Sequence, residues 1–158
     1  MSTADEKFMR MAIAKALEGV RGGQSPFGAC IVKDGKVVSC SHNIVWKTTD
    51  ITAHAEVTAI REACRVLKAI DLLGAVLYST CEPCPMCFSA IHWAKISKVF
   101  FGTCIEDAKA LGFGELTIAN ETMKALGKSP VALAGDFLRE ESLEVFRLWS
   151  GQKNRRVY

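Results

Sequence analysis

Apolar positions early in the chain recur at the spacing of one helix face. Phe8, Ile13, Ala16, Leu17 and Val20 fall near one side of a helix predicted over 5–20, and Gly22-Gly23 ends it. The period then changes. Residues 27–32 and 36–40 read as two strands joined by Asp34-Gly35, a strong hairpin signal. A second helix, capped by Thr52, runs to about 67 with Val57, Ile60, Cys64 and Leu67 as its apolar stripe. Apolar strands follow at 75–79 and 99–102, with a helix over 88–94 between them. Residues 105–111 read as helix, 116–126 as a further short helix, 130–134 as a last strand, and 139–149 as a helix packing Leu143, Phe146 and Trp149. Strands alternating with helices after an opening hairpin predict an α/β fold, a three-layer α/β/α sandwich around a mixed five-stranded sheet. Residues 1–158 are expected to form a single domain, with 139–158 as C-terminal helix and tail.

Bulk composition narrows the function classes. Hydrophobic residues at 49% and charged residues at 23% are ordinary for a globular protein. No apolar run approaches the ~18 residues of a membrane span. Residues 1–7 are polar and acidic, without the regions of a secretory signal. Seven cysteines, an odd number with no disulfide framework, point to a reducing cytoplasmic compartment. Cys30, Cys40, Cys64 and Cys104 sit among apolar neighbours and read as small core residues. A net charge of +3 does not demand a nucleic-acid partner. The basic tail Lys153, Arg155 and Arg156 reads first as a solvated end.

One stretch carries chemistry. Cys81-Glu82-Pro83-Cys84-Pro85-Met86-Cys87 holds two cysteines at C-x-x-C spacing between prolines, and His54-Ala55-Glu56 lies upstream. Together they form the H-x-E and P-C-x-x-C signature of zinc nucleobase deaminases. His54, Cys84 and Cys87 supply three of zinc's four positions, which leaves one for water, the mark of a catalytic site. Glu56 is placed to move protons. Residues i and i+2 do not share a helix face, so His54 and Glu56 reach one metal only from a helix end. Pro85 suits a first helical position, which puts Cys84 at a second helix start. Two helix N-termini are therefore expected to converge on the metal and favour thiolate. Two alternatives stand beside this reading: a redox pair, and a structural four-ligand site with Cys81 as the fourth ligand, the latter making the protein a zinc-stabilised binding module. His42 and His92 read as structural. Pro26-Phe27-Gly28 is small enough at Gly28 for close backbone approach by a ligand, and Phe27 reads as a core or base-stacking residue.

With these motifs the chain resembles the cytidine deaminase superfamily, and within it the guanine and guanosine deaminases. The likeness runs through Pro26-Phe27-Gly28-Ala29, through 52–61 and through 79–87. It covers most of residues 5–115. The resemblance implies one zinc ion per subunit on His54, Cys84 and Cys87, with Glu56 as proton shuttle. It implies that Asn43 holds the base, that the backbone N–H groups of Ala55 and Cys84 lie near the site, and that Tyr158 closes the pocket from its own or a neighbouring subunit; Phe27 joins Asn43, Ala55 and Tyr158 as a substrate-binding candidate. Glu115 stands where the group carries the second of two aspartates and Gly114 where it carries the first, so Glu115 is a second catalytic candidate. A carboxylate accepts and does not donate, which favours guanine, with its adjacent N–H and NH₂ donors, over adenine. The expected reaction is zinc-dependent hydrolytic deamination of a purine, guanine to xanthine and ammonia, by a homodimer. Guanosine, cytosine or an aminated triazine are alternative small substrates. Adenosine in tRNA is a further one, favoured by the basic tail, although residues 108–115 do not match the lysine- and small-residue-rich loop usual in tRNA deaminases.

Overall fold

The computed structural model describes residues 2–158. Helix α1 (Thr3–Arg21) starts on a reciprocal cap: the Asp5 amide donates to Ser2 Oγ at 3.2 Å and the Ser2 amide to Asp5 Oδ2 at 3.1 Å. Strands β1 (Gly28–Lys33) and β2 (Lys36–His42) form the expected hairpin. Its turn residues Asp34 and Gly35 both have positive φ, 51° and 71°, as a two-residue turn between twisted strands requires. The order then runs α2 (Val45–Thr48), α3 (Ala55–Leu67), β3 (Val76–Cys81), α4 (Pro85–Trp93), β4 (Lys98–Thr103), α5 (Ile105–Ala110), α6 (Asn120–Gly127), β5 (Ala132–Ala134) and α7 (Arg139–Ser150).

The five strands lie in the order β2-β1-β3-β4-β5. β1 pairs antiparallel with both β2 and β3, while β3, β4 and β5 run parallel. One face is covered by α1 and α7, whose Met9, Ala12, Val145 and Trp149 pack with Tyr78 and Phe100. The other is covered by α3 and α4, with Ala55, Ala59, Phe88 and Ile91 against Ile31, Leu77 and Val99. This is the mixed five-stranded α/β/α sandwich read from the sequence.

Several local expectations are corrected. Helix α3 turns its alanines, Ala55, Ala59 and Ala63, down onto the sheet, all fully buried. The Val57, Ile60, Cys64, Leu67 stripe is rotated toward the rim, and Leu67 is exposed. Small side chains let the helix axis lie close to the strands, and this brings Glu56 inside. Thr52 does not cap α3; His54 occupies that position, and Thr52 donates to Asp50. The short α2 was not expected. Of the cysteines read as core, only Cys30 is buried; Cys40, Cys64 and Cys104 are half-exposed.

Gly28 is also reassigned. A Cβ there would collide with the Ala12 carbonyl oxygen and lie 2.7 Å from the Ala16 amide, so the closely approaching backbone is α1 and not a ligand. Gly28→Ala should therefore cost about 1–3 kcal/mol of stability. A urea midpoint unchanged from the parent protein would show that α1 can move aside freely.

The carboxyl end of β4 is tied by an ion pair. Arg139 donates twice to Asp107, at 2.7 and 2.9 Å, and the Cys104 amide adds a third bond at 2.8 Å. The guanidinium chiefly, then the Cys104 amide against an opposing burial cost, holds the Asp107 carboxyl down at about 2. A depressed carboxylate stabilises the fold above its unfolded pKa near 4, and that contribution is lost as pH falls toward 2. Allowing for solvent screening, Arg139→Met should cost on the order of 1–2 kcal/mol at pH 7. The gap between parent and variant in denaturant titrations should close as pH drops from 4 to 2.

Candidate active site

Two helix starts meet at one point. His54 is the N-cap of α3 and Cys84 the N-cap of α4, with Pro85 at the first helical position. Their first-turn N–H groups and dipoles face the same spot, as the motif spacing demanded. Cys87, in the first turn of α4, is fully buried beside them. His54 Nδ1 lies 3.6 Å from Cys84 Sγ and 3.6 Å from Cys87 Sγ. Zinc bonds of about 2.3 Å to sulfur and about 2.0–2.1 Å to nitrogen, meeting at tetrahedral angles, place N and S about 3.6 Å apart. The three donors therefore have the spacing of a zinc mount. Among the described residues they are the one group of three or more His, Cys, Asp or Glu side chains close enough to hold a metal. Cys81 does not join them; its thiol donates to the Cys104 carbonyl at 3.5 Å. This removes the structural four-ligand reading.

The site is crowded with groups that resist being anionic together. Cys84 is pulled down to about 4, first by its hydrogen bond with Cys87 and, against burial, by His54. Cys87 is pushed well up by the same bond and by burial. Glu56 is raised by burial and then by the charge of Cys84. Glu115 is raised to about 7 by burial, then by Cys84 and Glu56. A divalent cation relieves all four, and the donor set fits one.

Glu56, 6% exposed, sits in the first turn of α3. Ser79 Oγ donates to its Oε1 at 3.3 Å and the Cys87 thiol to its Oε2 at 3.5 Å. The second bond needs a thiol proton that a metal-bound thiolate lacks. Ala55, fully buried, opens the same helix.

Phe27, Asn43, His54, Glu56, Glu115 and Tyr158 all line an inner cavity of about 20 Å³. Phe27 serves core and cavity together, edge-on to Phe113 at 5.1 Å and Phe146 at 5.7 Å. Asn43, fully buried, accepts from the Val45 amide at 3.1 Å and donates to the Tyr158 hydroxyl at 2.6 Å. The tail thus folds back over its own site. Tyr158 lies 5.6 Å from the His54 ring and 5.2 Å from Phe113, and its carbonyl accepts from the Gly114 amide at 2.8 Å. An outer cavity of about 320 Å³ adjoins it, where Glu115 and Tyr158 recur beside Ile51, Met86 and Leu116. His42 and His92 stay out of the site: His42 Nδ1 pairs with the Asn43 carbonyl and His92 Nδ1 with Ser129 Oγ.

Two features escaped sequence reading. Glu82 accepts from the Ile105 amide at 3.2 Å and the Asn120 amide at 2.7 Å, while Asn120 Nδ2 donates to the Pro83 carbonyl at 2.6 Å. This clamp fixes the loop carrying Glu115 against the cysteine motif. An acidic residue inside an otherwise apolar metal run was its only signal. Trp46, on the unexpected α2, takes the Arg156 guanidinium over its ring at 4.2 Å and holds the tail from outside.

Comparison with known proteins agrees with this geometry. Residues 2–103 match the cytidine and deoxycytidylate deaminase zinc-binding region. Guanine deaminase of Bacillus subtilis is 42% identical over 97% of this chain and 98% of its own. A tRNA-specific adenosine deaminase of Aquifex aeolicus is 46% identical over 61% of this chain and 64% of its own. The solved structure of Bacillus subtilis guanine deaminase superimposes with a TM-score of 0.67 at 38% identity, covering 100% of this chain and 99% of that one. That of a guanine deaminase from Nitrosomonas europaea reaches 0.86 at 23% identity, over 93% and 85%, a likeness of fold. A His-Cys-Cys zinc site at two helix starts, a buried carboxylate beside it and this match together mean that the chain belongs to the cytidine and deoxycytidylate deaminase family, as a zinc-dependent aminohydrolase.

Proposed function

We propose that the protein hydrolyses guanine to xanthine and ammonia. The observation that carries this reading is the three-donor mount with Glu56 and Glu115 beside it and no fourth side-chain ligand among the described residues. Zinc, when bound, supplies Lewis acidity that makes water a competent nucleophile near neutral pH. Glu56 accepts one proton as water attacks and delivers it to the ring nitrogen, then takes the second from the newly added hydroxyl and gives it to the departing amine, so that both protons of water are used and ammonia leaves neutral. Asn43 holds the base edge through its amide, and Phe27 packs beside the ring. Ala55 offers a first-turn N–H. Glu115 accepts from the donor pair of guanine and selects against bases that lack it.

Tyr158 is the cap in this reading. The inner cavity, about 20 Å³ with the tyrosine in place, has no room for a base. Substrate enters through the outer cavity and takes the Asn43 amide from the tyrosine hydroxyl, and the tail then closes over it. We further propose one domain over 1–158 and a homodimer. The latter is supported by the exposed Ile70, Leu73 and Trp93, at 92%, 57% and 81% exposure, and is testable by light scattering. No helix among the described residues is long and apolar enough to cross a membrane, and all seven cysteines are free, which suits a reducing cytoplasm.

Ammonia release across guanine, guanosine, adenine, cytosine, ammeline and tRNA tests the substrate. Guanine should be fastest. Turnover of tRNA alone, falling steeply with salt, would replace this reading with the RNA one that the exposed Lys153 and Arg155 and the Aquifex relative favour. Glu115→Gln should lower kcat/KM for guanine by about 10–100-fold, the worth of a charged hydrogen bond, and narrow its margin over adenine. An unchanged margin would remove Glu115 from substrate selection.

A further inference from the structure

Cys30 and Cys40 face each other across the opening hairpin, in direct register between β1 and β2. The phase of the ladder decides what that means. The Asn43 amide donates to the Phe27 carbonyl at 3.0 Å, so Phe27 opposite Asn43 is a bonded pair. Bonding alternates along antiparallel strands, which makes Ala29 opposite Ser41 the next bonded pair. Gly28 opposite His42 and Cys30 opposite Cys40 then fall in the non-bonded positions, and the register shift comes only after Ile31. Non-bonded partners have Cα atoms about 4.5 Å apart and their side chains closest, inside the span a disulfide can bridge, roughly 4.4–6.8 Å.

Both side chains point to the α1 face. Cys30 is fully buried in that cluster, and Cys40 packs against it half-exposed. The two thiols also act on each other: Cys40 is lowered chiefly by Cys30 and, against burial, by Lys15, while Cys30 is pushed up by Cys40 and by burial. The accessible sulfur is therefore the better nucleophile and the buried one its partner.

We propose that Cys30 and Cys40 are a dithiol that closes to a reversible cross-strand disulfide when the protein meets a low-molecular-weight disulfide. Cys40 thiolate attacks the small disulfide, and one thiolate leaves. Cys30 then attacks Cys40 Sγ of the mixed disulfide, its proton passing to the second departing thiolate. Two protein thiols are oxidised, one small disulfide is reduced to two thiols, and excess dithiol reverses the exchange. The bond would fix the spacing of strands whose ends carry Phe27 and Asn43, the residue before β1 and the residue after β2.

The test uses the folded, zinc-loaded protein. It is incubated with oxidised glutathione, remaining thiols are capped with N-ethylmaleimide, and tryptic peptides are mapped without reduction. Cleavage after Lys33 and Lys36 separates the two cysteines into peptides 22–33 and 37–47, each holding no other cysteine. The expected result is those peptides joined, two hydrogens lighter than their sum, and released by dithiothreitol. Oxidation should raise the thermal midpoint by about 5 °C or more, and Cys40→Ser should lose that shift. Free or separately glutathionylated cysteines in the oxidised parent protein would overturn the proposal. So would a cross-link found only in zinc-free or unfolded material.

Discussion

Glu56→Gln is expected to lower turnover by about 10²–10⁴-fold, the usual worth of a positioned general acid–base group, while zinc stays at one per chain. Glutamine keeps the shape and the acceptor oxygen toward Ser79 Oγ, so the pocket retains its geometry. What is lost is the ability to carry a proton between water and the base. Burial at 6% exposure keeps bulk solvent from supplying a substitute at that spot. Ammonia release and metal content measured on the same preparation separate chemistry from metal loss. A variant deaminating guanine at near-parental rate, with zinc present, would remove Glu56 from the reaction.

Cys87→Ser should strike metal and fold together. Changing the orienting partner of a ligand costs about 10–100-fold in metal affinity, so removing the ligand itself should cost more. Zinc content should drop well below one per chain and activity fall with it. Cys87 is fully buried among Glu56, Cys84 and His54, where groups raised by burial and mutual charge lose their counter-ion. In the parent protein, added zinc should raise the thermal midpoint through mass action. In the variant the midpoint should be nearly insensitive to zinc. Equal zinc dependence in both proteins would place the metal elsewhere.

The elements were legible because each carried a local signal. Asp34-Gly35 is one of the few residue pairs that easily meet two positive φ angles, so the hairpin followed. Pro85 supplied a fixed φ and no N–H, so a helix start at Cys84 followed. The face of α3 was misread because alanine carries little hydrophobic signal, and burial of Ala59 and Ala63 depends on how closely the helix can approach β1 and β2. α2 was missed because four residues offer no period to read.

The sequence by itself determined the residue types of the metal mount and the two helix starts that carry them, because His54-Ala55-Glu56 and Cys84-Pro85-Met86-Cys87 are local signals; that the two starts, 30 residues apart, meet at one point is the work of the sheet between them. Only the tertiary structure decided that Asn43 bonds Tyr158, that Glu82 and Asn120 clamp the Glu115 loop, that Gly28 serves helix packing, and that Cys30 meets Cys40. These pairings join residues distant along the chain or across a strand register. Local preference is blind to them; they are fixed by which surfaces the whole chain can bury at once.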